Sequence, residues 1–242
     1  MEGAGVALAY AESGAGPTAV IVHGIASDAA AGAPVADALA AQGRRVIAYD
    51  RRGYGASGAP EPYVATTVQE QTEDAVAVLR ALDAAPALIV AEGFGALVAL
   101  DLLVRHRPLV RAAVLGDPPA FAFVPEANEV LAAQRLELEE ALRTGGPAKA
   151  VETWLGGRAE GEALARAKTA YLGFLADYAG LATWSPSRRE LRAIDAPVAV
   201  VTARETPPHV VAAADAVALL IPGAQRRTDG ALAAAAQEIE PA

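Results

Sequence analysis

Apolar and polar positions along this chain of 242 residues fall into two alternating kinds of run. Short, nearly unbroken apolar runs read as strands buried on both faces: "TAVIVHG" at 18–24, "RRVIAYD" at 44–50, "LIVA" opening at Leu88, "AAVLGD" at 112–117 and "APVAVVTA" at 196–203. The alternating stretch "VALAYAES" at 6–13 reads as an earlier, partly exposed strand, and a short run near 225–228 as a last one. Helical segments separate them. Residues 34–43 open on proline and end on glycine, residues 66–83 begin with two threonines able to cap a first turn, and residues 208–220 precede an Ala-rich terminal helix. This alternation predicts an α/β fold: a mostly parallel sheet with helices on both faces.

The rhythm breaks between about 120 and 190. Helical stretches there are separated by Gly145-Gly146-Pro147 and Gly156-Gly157, and no strand pattern interrupts them. Leu164, Tyr171, Leu175 and Tyr178 recur at helical spacing, and Trp154 and Trp184 lie in the same segment. The expected organisation is a core made of 1–119 and 191–242, with a helical cap of 120–190 laid over the end of the sheet.

One stretch raises a chemical question. "LIVAEGFGALVAL" at 88–100 has the form of a strand, a sharp turn and a helix. Serine hydrolases carry their nucleophile on such a turn, in the pattern small-x-Ser-x-Gly. Gly93 stands at the apex, and serines occur only at 13, 27, 57, 185 and 187.

Four features, in order, resemble the α/β-hydrolase superfamily over nearly the whole chain. They are His23-Gly24 after a buried strand, the turn Asp50-Arg51-Arg52-Gly53-Tyr54-Gly55-Ala56-Ser57, the elbow at Gly93, and a helical cap between the first six strands and the last two. The resemblance implies an α/β-hydrolase fold with an oxyanion hole built from the backbone amides of Ile25 and Phe94. It also implies a catalytic histidine after the last strand, near Gly230 to Leu232, where Leu232 is the best match for the position. The acid should follow the strand ending near Ala203, where Glu205 sits one position off or Thr206 takes the place. Nucleophile and base are therefore both missing from a triad that needs each.

Glycine adopts the strained elbow conformation freely, so the turn and its two amides are expected to survive without the side chain. Such a site suits an enolate formed by removing a proton next to a carbonyl. Within the superfamily this combination is similar to triad-less peptide epimerases of the bottromycin type, which implies inversion of an aspartate Cα in a modified peptide, with a substrate carboxylate moving the proton. Two other readings stay open: a ligand-binding protein that keeps the pocket without chemistry, and a hydrolase with relocated residues, its water activated by Glu205 or His209. Pocket residues are expected among His23, Gly24, Glu92, Gly93, Asp117, Trp154, Tyr171, Tyr178, Trp184, Glu205 and His209. His23 is either a base or a brace within its loop, Glu92 either points into the site or packs behind the elbow, and His106 reads as a partner for a helix C-terminus.

Composition narrows the partners. A net charge of −9 with only two lysines argues against nucleic acid, whose phosphates attract basic surfaces. The absence of cysteine removes disulfides and thiolate chemistry. Mean hydropathy is +0.26, but no apolar run approaches the ~18 residues a membrane helix needs. Without a basic, apolar leader the expected location is the cytoplasm. No metal-ligand spacing or dinucleotide fingerprint appears, so no metal and no cofactor are expected. The expected partner is a small molecule or modified peptide, with no membrane; oligomeric state is left open.

Overall fold

The computed structural model describes residues 1–181 and 183–240. Its strands are β1 (Tyr10–Ser13), β2 (Thr18–Val22), β3 (Arg45–Tyr49), β4 (Ala87–Glu92), β5 (Val110–Gly116), β6 (Val198–Val201) and β7 (Gln225–Arg227). They form one seven-stranded sheet in the order β1-β3-β2-β4-β5-β6-β7, parallel except for β1. The helices are α1 (Ala33–Ala41), α2 (Val68–Ala81), α3 (Phe94–Arg105), α4 (Ala127–Leu155), α5 (Gly161–Thr169), α6 (Tyr171–Gly180), α7 (Arg188–Arg192), α8 (Pro208–Leu220) and α9 (Leu232–Ile239).

The unbroken apolar runs are explained by burial on both sides. Alternate residues of β4 and β5, Leu88 and Val90 with Ala112 and Val114, pack toward α1 and α9. The others, Ile89 and Ala91 with Ala113 and Leu115, pack toward α2, α3 and α8. Each fully buried Leu, Val or Ile contributes about 1.5–3 kcal/mol, so these two clusters dominate the folding energy. Helix α3 is buried along its whole run from Phe94 to Leu103, as expected of a helix leading from the central strand. Thr67 caps α2, its hydroxyl accepting from the Glu70 amide at 3.1 Å.

One expected strand is shorter than its pattern. Only Tyr10–Ser13 of the 6–13 stretch joins the sheet, and among the described residues five strands precede the helical segment, where the family resemblance implied six. Val6 and Leu8 are buried, but the backbone turns back on the N-terminus: the Leu8 amide donates to Met1 O at 2.8 Å and the Met1 ammonium to Leu8 O at 2.9 Å.

Between β5 and β6 the chain is helical. Gly146 leaves helical geometry (φ 72°, ψ −173°) and kinks α4 just before Pro147, and Gly156 ends it in the left-handed conformation. Helix α6 approaches the core so closely that a Cβ on Gly173 would lie 2.7 Å from Gly53 O, and one on Gly180 would lie 2.8 Å from Thr66 O. Arg166 of α5 binds Asp28 at 2.6 Å. These helices therefore lie over the loops that follow β2 and β3.

A buried ion pair fastens them. Arg51 Nη2 meets Asp177 Oδ2 at 2.6 Å, with both side chains almost fully enclosed. Arg51 also donates to His23 O, Gly24 O and Gln71 Oε1, while Gln71 and the Tyr54 hydroxyl donate to the Asp177 carboxylate. Removing one partner of such a pair leaves a buried charge uncompensated. Asp177→Ala is expected to lose about 3–5 kcal/mol of unfolding free energy in urea titration. Glu139→Ala, which breaks the exposed Arg135–Glu139 pair, is expected to lose less than about 1 kcal/mol; equal losses would contradict this account.

Candidate functional site

The site is built where β4 gives way to α3. Gly93 has φ 53° and ψ −122°, a conformation that strains any residue with a Cβ. Its amide donates to Gly116 O at 2.9 Å and its carbonyl accepts from the Ala96 amide at 3.0 Å, which fixes the turn from both sides. Two residues on, a Cβ at position 95 would lie 2.3 Å from Val22 O, so only glycine lets α3 start against the end of β2. Above the apex the space is open: a Cβ on Gly93 would meet only Gly24 Cα at 3.6 Å and Ile25 N at 4.0 Å. Among the described residues, neither the Ile25 amide nor the Phe94 amide donates to a protein acceptor. Phe94 turns its ring away, under α6 and 5.0 Å from the Arg51 guanidinium.

His23 is a brace. Its Nε2 accepts from the Arg51 amide at 2.9 Å, which leaves the proton on Nδ1 to donate to Gly24 O at 2.9 Å. Burial, then the Arg51 charge, holds its pKa well below the ordinary imidazole value. With both nitrogens engaged it has no lone pair for a substrate proton.

The carboxylates are arranged differently. Glu92 lies on the face of β4 toward α9; a Cβ on Gly116 would be 3.0 Å from Glu92 Cγ and 3.1 Å from Leu232 Cδ2. Among the described residues it makes no ion pair or side-chain hydrogen bond. The side chain is exposed at the rim of the cleft; desolvation by the surrounding protein, then the Asp117 charge, raises its pKa above the ordinary value. Asp117, at φ 45°, accepts from the Thr206 hydroxyl at 2.7 Å, and that hydroxyl accepts from the Ala203 amide at 2.9 Å. Burial raises the Asp117 pKa as well, with Thr206 opposing it.

The other expected residues divide. Of the two alternatives after β6, Thr206 joins this cluster, whereas Glu205 is exposed and bonds to nothing described. Leu232, the first residue of α9, is buried in an apolar cluster and carries no proton. His209 stacks on Phe121 with ring centres 5.6 Å apart. A cavity of about 800 Å³ opens between α4, α6 and the segment after β5, walled by Phe121, Leu131, Leu138, Phe174, Tyr178 and Trp184. Trp184 is also a core residue, its indole donating to Asp101 at 3.0 Å. Of the eleven expected pocket residues, Tyr178 and Trp184 line this cavity and the other nine do not. Trp154 is packed behind the wall against Phe174 and Tyr178, and Tyr171 faces outward in the first turn of α6, so neither lines this cavity. Ile25 packs against the helices that follow β5, but neither it nor Gly24 or Gly93 is among the cavity's walls. Sequence analysis named Arg51 only as part of the turn after β3 and passed over Asp177, whose one signal was a lone aspartate in the apolar run "FLADYAG".

Among the described residues, no group of three or more His, Asp or Glu side chains could hold a metal ion, and no helix is long and apolar enough to cross a membrane.

A parallel sheet, an elbow at the end of its central strand and helices inserted over that end define an α/β-hydrolase-fold protein. The chain belongs to this superfamily: a family model described as serine aminopeptidase, S33 matches residues 16–153. It is 32% identical over 114 residues to the uncharacterized hydrolase YraK of Bacillus subtilis, covering 47% of this chain and 42% of that protein. It is 29% identical to epoxide hydrolase A of Mycobacterium tuberculosis, over 74% of this chain and 63% of that one. An α/β hydrolase from Sphaerobacter thermophilus superposes with a TM-score of 0.68 at 26% identity, covering 93% of this chain and 89% of that one. The chain thus spans less than two thirds of these curated relatives.

Two predictions follow from the geometry. Gly93→Ser has room for its side chain but not the backbone freedom, so it is expected to fold with a loss of about 1–3 kcal/mol and to hydrolyse p-nitrophenyl acetate no faster than the parent; brisk turnover would contradict the placement of His23 and Leu232. Glu92→Gln removes a carboxylate whose folded-state pKa is raised, so ionisation of the parent costs stability as pH climbs through that value. The variant's melting temperature is expected to exceed the parent's at pH 8 and to converge with it below the ordinary carboxylate range, at about pH 3. A constant offset across pH would count against the raised pKa.

Proposed function

We propose that this chain is an α/β-hydrolase-fold enzyme that works without a covalent nucleophile, as a peptide epimerase or isomerase. The reaction is inversion of the Cα of an aspartate in a modified peptide by substrate-assisted proton transfer. The observation that carries this reading is the pair of undonated amides, Ile25 and Phe94, over an apex with no side chain. A carbonyl oxygen seated there gains charge as the neighbouring C–H proton leaves. Each preorganised donor of this kind is worth about 2.7–4 kcal/mol in the transition state. The proton passes to the substrate's own carboxylate, a proton from solvent water returns to the opposite face of the enolate, and the apolar cavity under the cap accepts the rest of the peptide. Missing serine and histidine are no obstacle, because nothing is acylated.

A second reading is hydrolysis by an activated water. Its support is the hydrolase names of the relatives together with Glu92, an unpaired carboxylate with a raised pKa next to the elbow.

Incubation of aspartate peptides with apolar neighbours in D2O separates the readings. The expected result is one deuterium at the aspartate Cα with both epimers present. Ester or epoxide turnover without exchange overturns the proposal in favour of hydrolysis, and tight binding with unchanged peptide overturns it in favour of a binding protein.

A further inference from the structure

Most arginines near the core are paired with carboxylates: Arg44, Arg51, Arg52, Arg105, Arg111 and Arg166 each meet an Asp or Glu. Arg158 does not. It lies just past the end of α4, in the turn between α4 and α5. Its Nε donates to Leu155 O at 2.9 Å, its Nη2 to Trp154 O, and its guanidinium lies 5.8 Å from the Trp154 ring centre. These contacts hold the fork in place at the carbonyl end of a helix, where a cation is favoured. Among the described residues Nη1 has no partner and no carboxylate comes within ion-pair distance.

The turn that carries this side chain, itself exposed, packs beside the loop that follows β2. Leu155 and its neighbours Trp154 and Ala159 share one apolar cluster with Ile25 and Ala26, the residues of the oxyanion loop. On the far side its charge reaches Asp117 at the end of β5. Partial enclosure lowers its own pKa, with Asp117 opposing, as for a cation that lacks a close counter-ion.

We propose that Arg158 is the specificity-determining contact of the cleft and selects a substrate that bears, beside the carbonyl gripped by Ile25 and Phe94, a carboxylate other than the one that moves the proton. A guanidinium donates two parallel hydrogen bonds to a carboxylate, so an immobilised fork fixes orientation as well as charge. It also bears on an electrostatic difficulty: Asp117 would repel an anion, and Arg158, with Arg226, is a cation whose charge reaches it. The inference rests on the proposed use of this cleft but not on the reaction carried out there.

Binding tests it without turnover. N-acetyl-L-leucine and N-acetyl-L-leucinamide share an amide carbonyl and an apolar side chain and differ in carboxylate against neutral amide. By titration calorimetry the parent is expected to prefer the carboxylate by about tenfold or more. Arg158→Gln is expected to abolish that preference while leaving the amide's affinity unchanged, and Arg158→Lys to keep only part of it. Arg80→Gln, an exposed arginine on α2, is expected to behave as the parent. A preference that persists in Arg158→Gln, or no binding of either compound at millimolar concentration, overturns the proposal. Failure of Cα exchange with the preference intact would instead remove the epimerase reading and leave the carboxylate site.

Discussion

The buried Arg51–Asp177 pair is the interaction on which the rest of the site depends. Taking two ions out of water costs several kcal/mol each, and their attraction offsets this only when the remaining donors and acceptors are satisfied. Here they are. Arg51 reaches two carbonyls of the loop after β2, a glutamine of α2 and an aspartate of α6, and it lies 4.9 Å from the Tyr54 ring centre and 5.0 Å from that of Phe94. One side chain thereby joins the loop after β2, the turn after β3, helix α2 and the cap.

The consequence for chemistry runs through a single peptide plane. Gly24 C=O and Ile25 N–H belong to the same trans unit and point in opposite directions. Arg51 and His23 both hold the Gly24 carbonyl on the buried side. The Ile25 amide is therefore turned outward, toward the space over Gly93. Its aim is set by a charge network on the other face of the peptide, and the neutral state of His23 is part of that setting.

How much of this was legible depends on range in sequence. Apolar runs, the prolines and glycines at helix ends, and the pause at Gly145-Gly146-Pro147 are local signals, and they located the strands and the kink in α4. The Arg51–Asp177 contact joins residues 126 apart, and no periodicity carries such information. The aromatic stripe misled for a related reason. Leu164 and Tyr171 share a helical spacing, but α5 ends at Thr169 and α6 begins at Tyr171. The break at Ala170 turns Tyr171 outward while Tyr178, well inside α6, faces the cavity. Glu92 illustrates the limit at the site itself: strand alternation sets its face, but that face becomes chemically interesting only because Gly116 leaves space beside it and Asp117 lies next along β5.

What survives when an elbow loses its nucleophile follows from what each function is made of. Roles carried by side chains vanish with one substitution, and here the apex is glycine while the first residue of α9 is a buried leucine. Roles carried by the main chain persist as long as the fold does, because the Ile25 and Phe94 amides are fixed by a peptide plane, a helix start and a network that mutation at position 93 does not touch. A site reduced in this way favours reactions whose transition state places negative charge on an oxygen and asks no protein atom to form a bond to carbon. Proton transfer next to a carbonyl, the reaction proposed above, meets both conditions, and a substrate carboxylate would supply the proton acceptor that neither Gly93 nor Leu232 can.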